Sequence, residues 1–478
     1  MQIRKINRTE WWCPFLLFFI LGFPILFRGF GSGDELWNYN FAISVVEGRL
    51  PYADFSIVQT PLSAYFSAFF LFVFGKSLIV FRLAGVVLIS LTFALLYIVC
   101  KTISGSRLVA YVASCFSYVL VYHIWIYNYN YLILLCVLFL IYETIQKPTK
   151  HTGIVIAFIY GLLPLIKQST GTVLFLLYIG FQLWDVKQEN KSLRRLCKEM
   201  IFAFVPGTFF VIWLMVSGIF VDFWDYAVKG VSTFTHRTYI WEYMFSTPVG
   251  FMVTLFVAVA IIMSLYTIVK NKYGEDRKLH IKILLISVAA GVVAYPLTDH
   301  YHMMVAMIPY VICLLMCFKP KSYTARQERV CAIIVALILV ASSLNVILDV
   351  KDFNLCKLNR FEGIPIAENV EANIQLVDEF IIENEARGKR VVIADECAAA
   401  CMIPLEKYNK NFDMLLIGNI GSNSVADLLS DSQNTIYLIT KDEATLGYQA
   451  HKELIQYIKD NYSLVGEVAG LDAYEKQD

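Results

Sequence analysis

The sequence predicts a polytopic α-helical membrane protein that ends in a small α/β domain. Two observations lead to this fold class. The chain is 58% hydrophobic and only 17% charged, whereas a soluble domain has about 25% charged residues. Apolar stretches of membrane-spanning length recur from Trp11 to Leu348, and after that point the composition becomes that of a soluble domain. We therefore expect a transmembrane domain over residues 1–348 and a soluble α/β domain over residues 349–478.

About eleven apolar segments are predicted to span the membrane. They lie near residues 12–30, 78–100, 108–124, 131–146, 153–166, 171–186, 201–219, 248–270, 281–298, 303–318 and 330–348. A further stretch at 61–74 is shorter, and apolar runs of about 10–14 residues are more often re-entrant or interfacial than spanning. The sequence leaves this stretch open between the two interpretations.

Basic loops set the predicted orientation of the chain. Lys and Arg concentrate near 187–198, 270–282 and 319–329 and in the N-terminal flank, and such loops face the cytoplasm. The first loop, residues 31–60, and everything after Leu348 should then be exoplasmic, provided that 61–74 is not counted as a span. A cleaved signal peptide ending at the small residues Gly31-Ser32-Gly33 is the rival interpretation of the first segment. Because cleavage there would remove the first helix of the bundle, we expect this segment to be retained.

The C-terminal part contains two predicted strands. Residues 390–396 and 435–440 are short apolar runs with β-branched residues. Helical patterns are predicted at 368–387 and at 447–461. This domain is interpreted as a structural lid or docking platform. Of the eleven cysteines, most lie in apolar segments; the exceptions that could form a disulfide in an oxidising compartment are Cys356, Cys397 and Cys401.

Polar and ionisable residues gather on the predicted exoplasmic side. Each has a structural alternative: Lys167 could snorkel from a helix end, the aromatic run 122–131 is typical of an interfacial belt, and each histidine could be interfacial. Taken together, these groups suit a substrate with an anionic headgroup and a lipid tail, because Arg and Lys bind phosphate. The net charge of +1 gives no reason to expect nucleic acid as a partner. The candidates are Asp34, Glu35, Arg49, Asp54, Gln59, Arg82, Asn128, Asn130, Lys167, Gln168, His236, Arg237, Asp299, His300, Tyr301 and His302.

Several short elements lie between about residues 28 and 85. They are the Asp34-Glu35 pair after the first span, the run 48–55 (GRLPYADF), Gln59-Thr60-Pro61-Leu62 with Tyr65, and 74–77 (FGKS) leading to Arg82. In these elements the sequence resembles the GT-C membrane glycosyltransferases, in the branch of the protein O-mannosyltransferases and the aminoarabinose-to-lipid-A transferases. Further on, Lys167-Gln168 and Gly171 resemble a later lysine-containing turn of the family. An exoplasmic C-terminal domain is also common in the class.

The resemblance implies a glycosyltransferase that takes a sugar from a polyprenyl-phosphate donor and passes it to a lipid, a cell-wall polymer or a protein. It implies that Asp34 is the catalytic base, that Glu35 supports it or the acceptor site, and that Arg82 and Lys167 bind the lipid phosphate. The sequence departs from the family at Gln59, where relatives often have Lys or His. It departs again at 128–130 (NYN), where relatives often have Asp.

Two questions stay open at the level of the sequence. Asp34, Glu35, Asp299, His300 and His302 would suit a divalent cation if they met in space, but some members of the class need a metal and others do not. The principal alternative function is a transporter or lipid-sugar flippase, which should show charges at mid-membrane depth and an internal repeat; the sequence shows neither. A non-catalytic scaffold, the third alternative, does not explain the acidic first loop.

Overall fold

The computed structural model describes most of the chain. The described residues are 9–29, 33–122, 129–146, 149–188, 192–230, 238–270, 275–295, 297–318, 325–348, 354–395, 397–407, 434–441 and 451–476, with the single residues 421, 425 and 429. The described helices are α1 Thr9–Gly22, α2 Gly33–Val46, α3 Leu62–Phe74, α4 Leu78–Ser104, α5 Arg107–Tyr122, α6 Tyr129–Gln146, α7 Lys150–Ile166, α8 Gln168–Lys187, α9 Leu193–Val216, α10 Phe220–Phe223, α11 Ile240–Ser246, α12 Pro248–Lys270, α13 Glu275–Gly291, α14 His300–Cys317, α15 Ala325–Leu348, α16 Glu368–Ala386, α17 Ala398–Met402 and α18 Lys452–Asn461.

The chain forms two compact units. The first unit comprises Met1–Leu26, Gly85–Phe210 and Arg237–Leu348, and the second comprises Phe27–Ala84, Val211–His236 and Asp349–Asp478. The segment around α2 and α3 therefore belongs to the same unit as the C-terminal part of the chain. The division predicted at residues 348 and 349 remains a prediction about domains.

The first unit consists mainly of apolar helices. Helix α7 packs against α8, α12 against α14, and α13 against both α8 and α14. Within the described residues, five helical stretches are long and apolar enough to cross a membrane: Glu10–Phe27, Leu78–Ser104, Leu193–Val216, Pro248–Lys270 and His300–Cys317. Shorter apolar helices lie at Leu62–Phe74, Arg107–Val121, Asn130–Gln146, His151–Ile166 and Ile333–Ser342. The protein is thus a multi-pass membrane protein, as the hydropathy predicted, and the count of eleven spans stays a prediction.

A four-stranded mixed sheet lies in the second unit. Its strands are β1 Arg390–Ile393, β2 Thr435–Thr440, β3 Ser463–Val468 and β4 Leu471–Glu475, in the spatial order β1-β2-β4-β3. Strands β1 and β2 are parallel, with Val391 opposite Ile436, and β4 is antiparallel to both β2 and β3. The two strands predicted from the sequence are present, as are helices near the predicted 368–387 and 447–461.

The hairpin of β3 and β4 was not predicted. Most of β3 is exposed, so the strand lacks the continuous apolar run from which the other two strands were predicted. Its turn is made by Ala469 and Gly470, whose φ angles of 48° and 81° are both left-handed, as a two-residue hairpin turn of type I′ requires. Elsewhere in the second unit, Cys356, Cys397 and Cys401 are free thiols, so none of the disulfides considered from the sequence is formed.

Candidate functional site

Asp34 lies in the first turn of α2, where it is exposed to solvent. Asn38, one helical turn further on, donates a hydrogen bond from its side-chain amide to the Asp34 carbonyl oxygen at 2.8 Å. The N-terminal end of a helix carries a partial positive charge, which favours an ionised carboxylate in this position. The Asp34 side chain is therefore placed where a substrate in the surrounding solvent can reach it.

Glu35, the next residue, is buried in an ion pair with Arg82. Both side chains are only 1% exposed, and the Arg82 Nε and Nη2 atoms donate to the two Glu35 carboxylate oxygens at 2.7 and 2.9 Å. Arg82 also donates to the carbonyl oxygen of Gly29 at 2.9 Å and to that of Arg28. This guanidinium thus fastens the chain that enters α2 to the start of α4. Of the two adjacent carboxylates, Asp34 is the one that solvent reaches, and a phosphate-binding role for Arg82 would require the pair to open.

Gln59 lies beside the helix turn that carries Asp34. Its side-chain amide donates to Asn38 Oδ1 at 3.2 Å. Its backbone carbonyl oxygen accepts a hydrogen bond from the Tyr52 hydroxyl at 3.0 Å. The Gln59 Oε1 atom is buried and has no hydrogen-bond partner within the described structure. Tyr52 is fully buried with a left-handed φ of 71°. Gln59 therefore presents a neutral amide next to the Asp34 turn, at the position where the resemblance would place a positive charge.

The other two candidates of the first loop have local partners. Asp54 is exposed, and its Oδ2 atom accepts a hydrogen bond from the Leu50 backbone N–H at 2.6 Å, which closes a turn. Arg49 lies 3.5 Å from Glu47, and Lys76 lies 3.1 Å from the same carboxylate. Glu47, which the sequence interpretation did not single out, is thus the centre of a charged cluster at the C-terminal end of α2.

Lys167 occupies the turn between α7 and α8 in the first unit. Its backbone is extended, with φ −148° and ψ 112°, and Pro164 and Gly171 lie one turn to either side. A side chain at Gly171 would place its Cβ 2.1 Å from the Leu163 carbonyl oxygen, so the two helices can approach this closely only with glycine there.

The ammonium group of Lys167 is held inside the first unit. It is buried and donates to Asn130 Oδ1 at 3.0 Å and to the Val293 carbonyl oxygen at 3.2 Å. Asp299 is close enough to interact with it electrostatically. Simple snorkelling from a helix end would leave this group in water, so the structural alternative for Lys167 does not apply. Gln168, the first residue of α8, is half-buried.

Asp299 caps the N-terminus of α14. Its Oδ1 atom accepts from the His302 backbone N–H at 2.9 Å and lies 2.8 Å from His302 Nδ1. Although burial acts in the opposite direction, hydrogen bonds from His302 and from the Tyr301 backbone hold the pKa of the Asp299 carboxyl below its usual value. The Nδ1 atom of the exposed His300 ring lies 3.4 Å from the Tyr243 hydroxyl, and the Tyr301 side chain is 48% exposed.

The structure thus brings the predicted residues together in two sets. Asp34, Glu35, Gln59 and Arg82 cluster around α2 in the second unit, and Lys167, Asp299, His300 and His302 lie in the first. Among the described residues, no group of three or more His, Cys, Asp or Glu side chains has the geometry of a metal site. His236, Arg237 and Asn128 lie outside the described residues. The sequence interpretation missed Asn38, although its position four residues after Asp34 places both on one helix face.

Comparisons with known proteins identify the fold. No family model and no curated protein matches the sequence. The structure is similar to two crystal structures of ArnT from Cupriavidus metallidurans, one in the apo state and one bound to undecaprenyl phosphate, with TM-scores of 0.58 and 0.56. Each similarity covers 98% of both chains at 9% sequence identity. The GT-C-like fold expected from the sequence is therefore confirmed.

Proposed function

We propose that this protein is a membrane glycosyltransferase that transfers a sugar from a polyprenyl-phosphate-linked donor to a lipid, a cell-wall polymer or a protein. The observation that carries the proposal is the exposed Asp34 carboxylate at the start of α2, held in place by the buried Glu35–Arg82 pair. The fold supports it, because a protein of similar fold has been solved with undecaprenyl phosphate bound.

In this reaction Asp34 acts as the general base. It takes the proton of the acceptor hydroxyl or amine as that group attacks the anomeric carbon, and the polyprenyl phosphate leaves. A positioned general base typically contributes about 10²–10⁴-fold to the rate. Glu35 is buried against Arg82 and therefore orients the Asp34 backbone rather than taking the proton itself.

The phosphate of the donor needs a cation. Lys167 is the proposed partner, because a buried ammonium group interacts with an anion more strongly than one in water. Its hydrogen bonds to Asn130 and Val293 fix the direction of the group. Arg49, His236, Arg237, His300, Tyr301 and His302 are further candidates for binding the substrate, and a divalent cation is a further candidate partner of the phosphate.

We further propose that the protein lies in the cell membrane with its N-terminus in the cytoplasm. The basic loops support an exoplasmic location for the first loop and the C-terminal domain. Reporter fusions after residues 60 and 478 should both report an exoplasmic location. A cytoplasmic location of either fusion would contradict this orientation.

The decisive experiment is the Asp34→Asn substitution in the full-length protein. The purified variant should lose about 10²–10⁴-fold in transfer from a polyprenyl-phosphate sugar while its melting temperature stays close to that of the wild type, since the replaced group is exposed. Glu453→Gln is the matched control, because Glu453 is also an exposed acidic residue in a first helical turn, that of α18. Wild-type transfer by Asp34→Asn would refute the proposed base. Movement of labelled lipid-sugar across vesicles without transfer would instead favour the flippase.

A further inference from the structure

A short segment of the C-terminal part, residues 354–366, packs on the structure around α2. The segment is a tight loop of its own, closed by backbone hydrogen bonds between Cys356 and Ile364 at 2.8 Å and between Ile366 and Asn354 at 3.0 Å. Its residues Phe361 and Ile364 are fully buried. A loop that is internally bonded and buried in this way is pre-formed and can hold its neighbours in place.

Arg360 carries the charged contact of this segment. Its side chain is 4% exposed and pairs with Glu47 at 2.7 Å and with Glu406 at 3.2 Å. Glu47 directly follows α2 and also pairs with Lys76, just before α4. Because Glu47 and Arg360 are 313 residues apart in sequence, this ion pair joins the C-terminal part directly to the end of α2, the helix whose first turn carries Asp34.

Uncharged contacts support the same connection. The Leu78 backbone N–H donates to the Arg360 carbonyl oxygen at 2.9 Å. The centroids of the Phe361 ring and of the Tyr39 ring in α2 lie 6.3 Å apart. The Tyr39 hydroxyl in turn donates a hydrogen bond to the Lys76 backbone carbonyl oxygen at 2.5 Å. Helix α17 also packs against α2. Both the middle and the end of α2 are therefore held by residues of the C-terminal part.

We propose that the 354–366 segment is a positioning element for the active site, and that Arg360 is its central residue. Its effect on catalysis rests on the proposed function of Asp34. Arg360 touches no reacting group in this scheme; it fixes α2 at the end opposite Asp34, while the Glu35–Arg82 pair fixes the beginning. The planar guanidinium suits this task, because it pairs with two carboxylates at once and holds its donors in a fixed geometry.

The test is the Arg360→Asn substitution in the full-length protein. Arg360 has a left-handed φ of 68°, a conformation that asparagine tolerates better than most residues, so the variant removes the charge with little backbone strain. Hydrogen exchange of peptides covering residues 33–49 should accelerate about tenfold. In the transfer assay kcat should fall by about 10–100-fold, while KM for the donor stays within about twofold of the wild-type value, since a positioning residue binds no substrate.

Arg387→Asn is the matched control, because Arg387 pairs with Glu383 on an exposed helix face of the same unit; it should change neither measurement. Arg360→Lys, which keeps the charge, should recover part of kcat. Unchanged hydrogen exchange in Arg360→Asn would overturn the proposal, and so would a raised KM with normal kcat, which would make Arg360 a substrate-binding residue.

Two further outcomes separate this proposal from the proposed function. If Arg360→Asn does not fold, Glu47→Gln removes the other partner and should give the same acceleration of hydrogen exchange; no acceleration there would also overturn the proposal. If Asp34→Asn keeps full activity, the proposed function fails while the exchange measurement still decides whether Arg360 holds α2. If Asp34→Asn is inactive and exchange in Arg360→Asn is normal, only the positioning role fails.

Discussion

The buried pair of Glu35 and Arg82 allows a quantitative test of what holds the start of α2. Replacing Arg82 by Met would leave the Glu35 carboxylate 1% exposed without its counter-ion, and replacing Glu35 by Leu would leave the Arg82 charge buried in the same way. Breaking a buried pair by removing one partner costs about 3–5 kcal/mol. Each single variant should therefore lose about that much stability.

The double variant Glu35→Leu/Arg82→Met should lose less stability than the two single variants added together. It removes both buried charges, while the Arg28 and Gly29 carbonyl oxygens lose the Arg82 donor. One unsatisfied buried acceptor costs about 1–3 kcal/mol, so these two cost about 2–6 kcal/mol, below the roughly 6–10 kcal/mol that two independent losses would give. The stability losses of the two single variants should therefore add up to more than the loss of the double variant.

Melting of the purified full-length protein in detergent, together with hydrogen exchange in α2, would measure the effect. Lys441→Met is the control, because Lys441 and Glu467 form an exposed pair with side chains 61% and 49% exposed, and exposed pairs contribute little to stability. Additive losses in the double variant, or single variants that melt like the wild type, would refute the argument that this pair anchors α2.

Two other perturbations give separable results. In Lys167→Met the Asn130 and Val293 oxygens lose their donor, so both transfer activity and the melting temperature should fall. An unchanged melting temperature would contradict the buried hydrogen bonds. Burial raises the pKa of Asp378 to about 7, while the nearby Lys407 acts in the opposite direction. Below about pH 4 the carboxyl group is protonated in both the folded and the unfolded chain, and its contribution to the free energy of unfolding is fully present. That contribution is lost as the pH rises through 7. Asp378→Asn should then melt above the wild type at about pH 8 but not at about pH 4.5, and a difference independent of pH would contradict this.

Hydropathy predicted the membrane helices because a span must be apolar along its whole length, and that property is local in sequence. The two parallel strands β1 and β2 were predicted for the same reason, since both are continuous buried runs. The hairpin of β3 and β4 was not, because Ser463–Val468 is mostly exposed and its register depends on pairing with β4 rather than on its own pattern.

Pairings between distant residues set the limit for the site. The sequence identified Arg82 and Lys167 as cations, but it could not show that one is bound to Glu35 and the other to Asn130. Arg82 is separated from Glu35 by 47 residues, and Arg360 from Glu47 by many more. No local pattern encodes such contacts, so Arg360 could not be distinguished from any other arginine of the C-terminal part.

The different roles of Asp34 and Glu35 follow from helix geometry. The sequence interpretation assigned both residues to the first exoplasmic loop, residues 31–60, which by itself gives no reason for them to differ. In α2, successive side chains point about 100° apart, since a helix has 3.6 residues per turn. Glu35 points inward to Arg82, whereas Asp34, about 100° around the helix and in its first turn, is exposed to solvent. The ion pair anchors the start of α2, and a variant that loosens α2 at either end should reduce catalysis without touching Asp34.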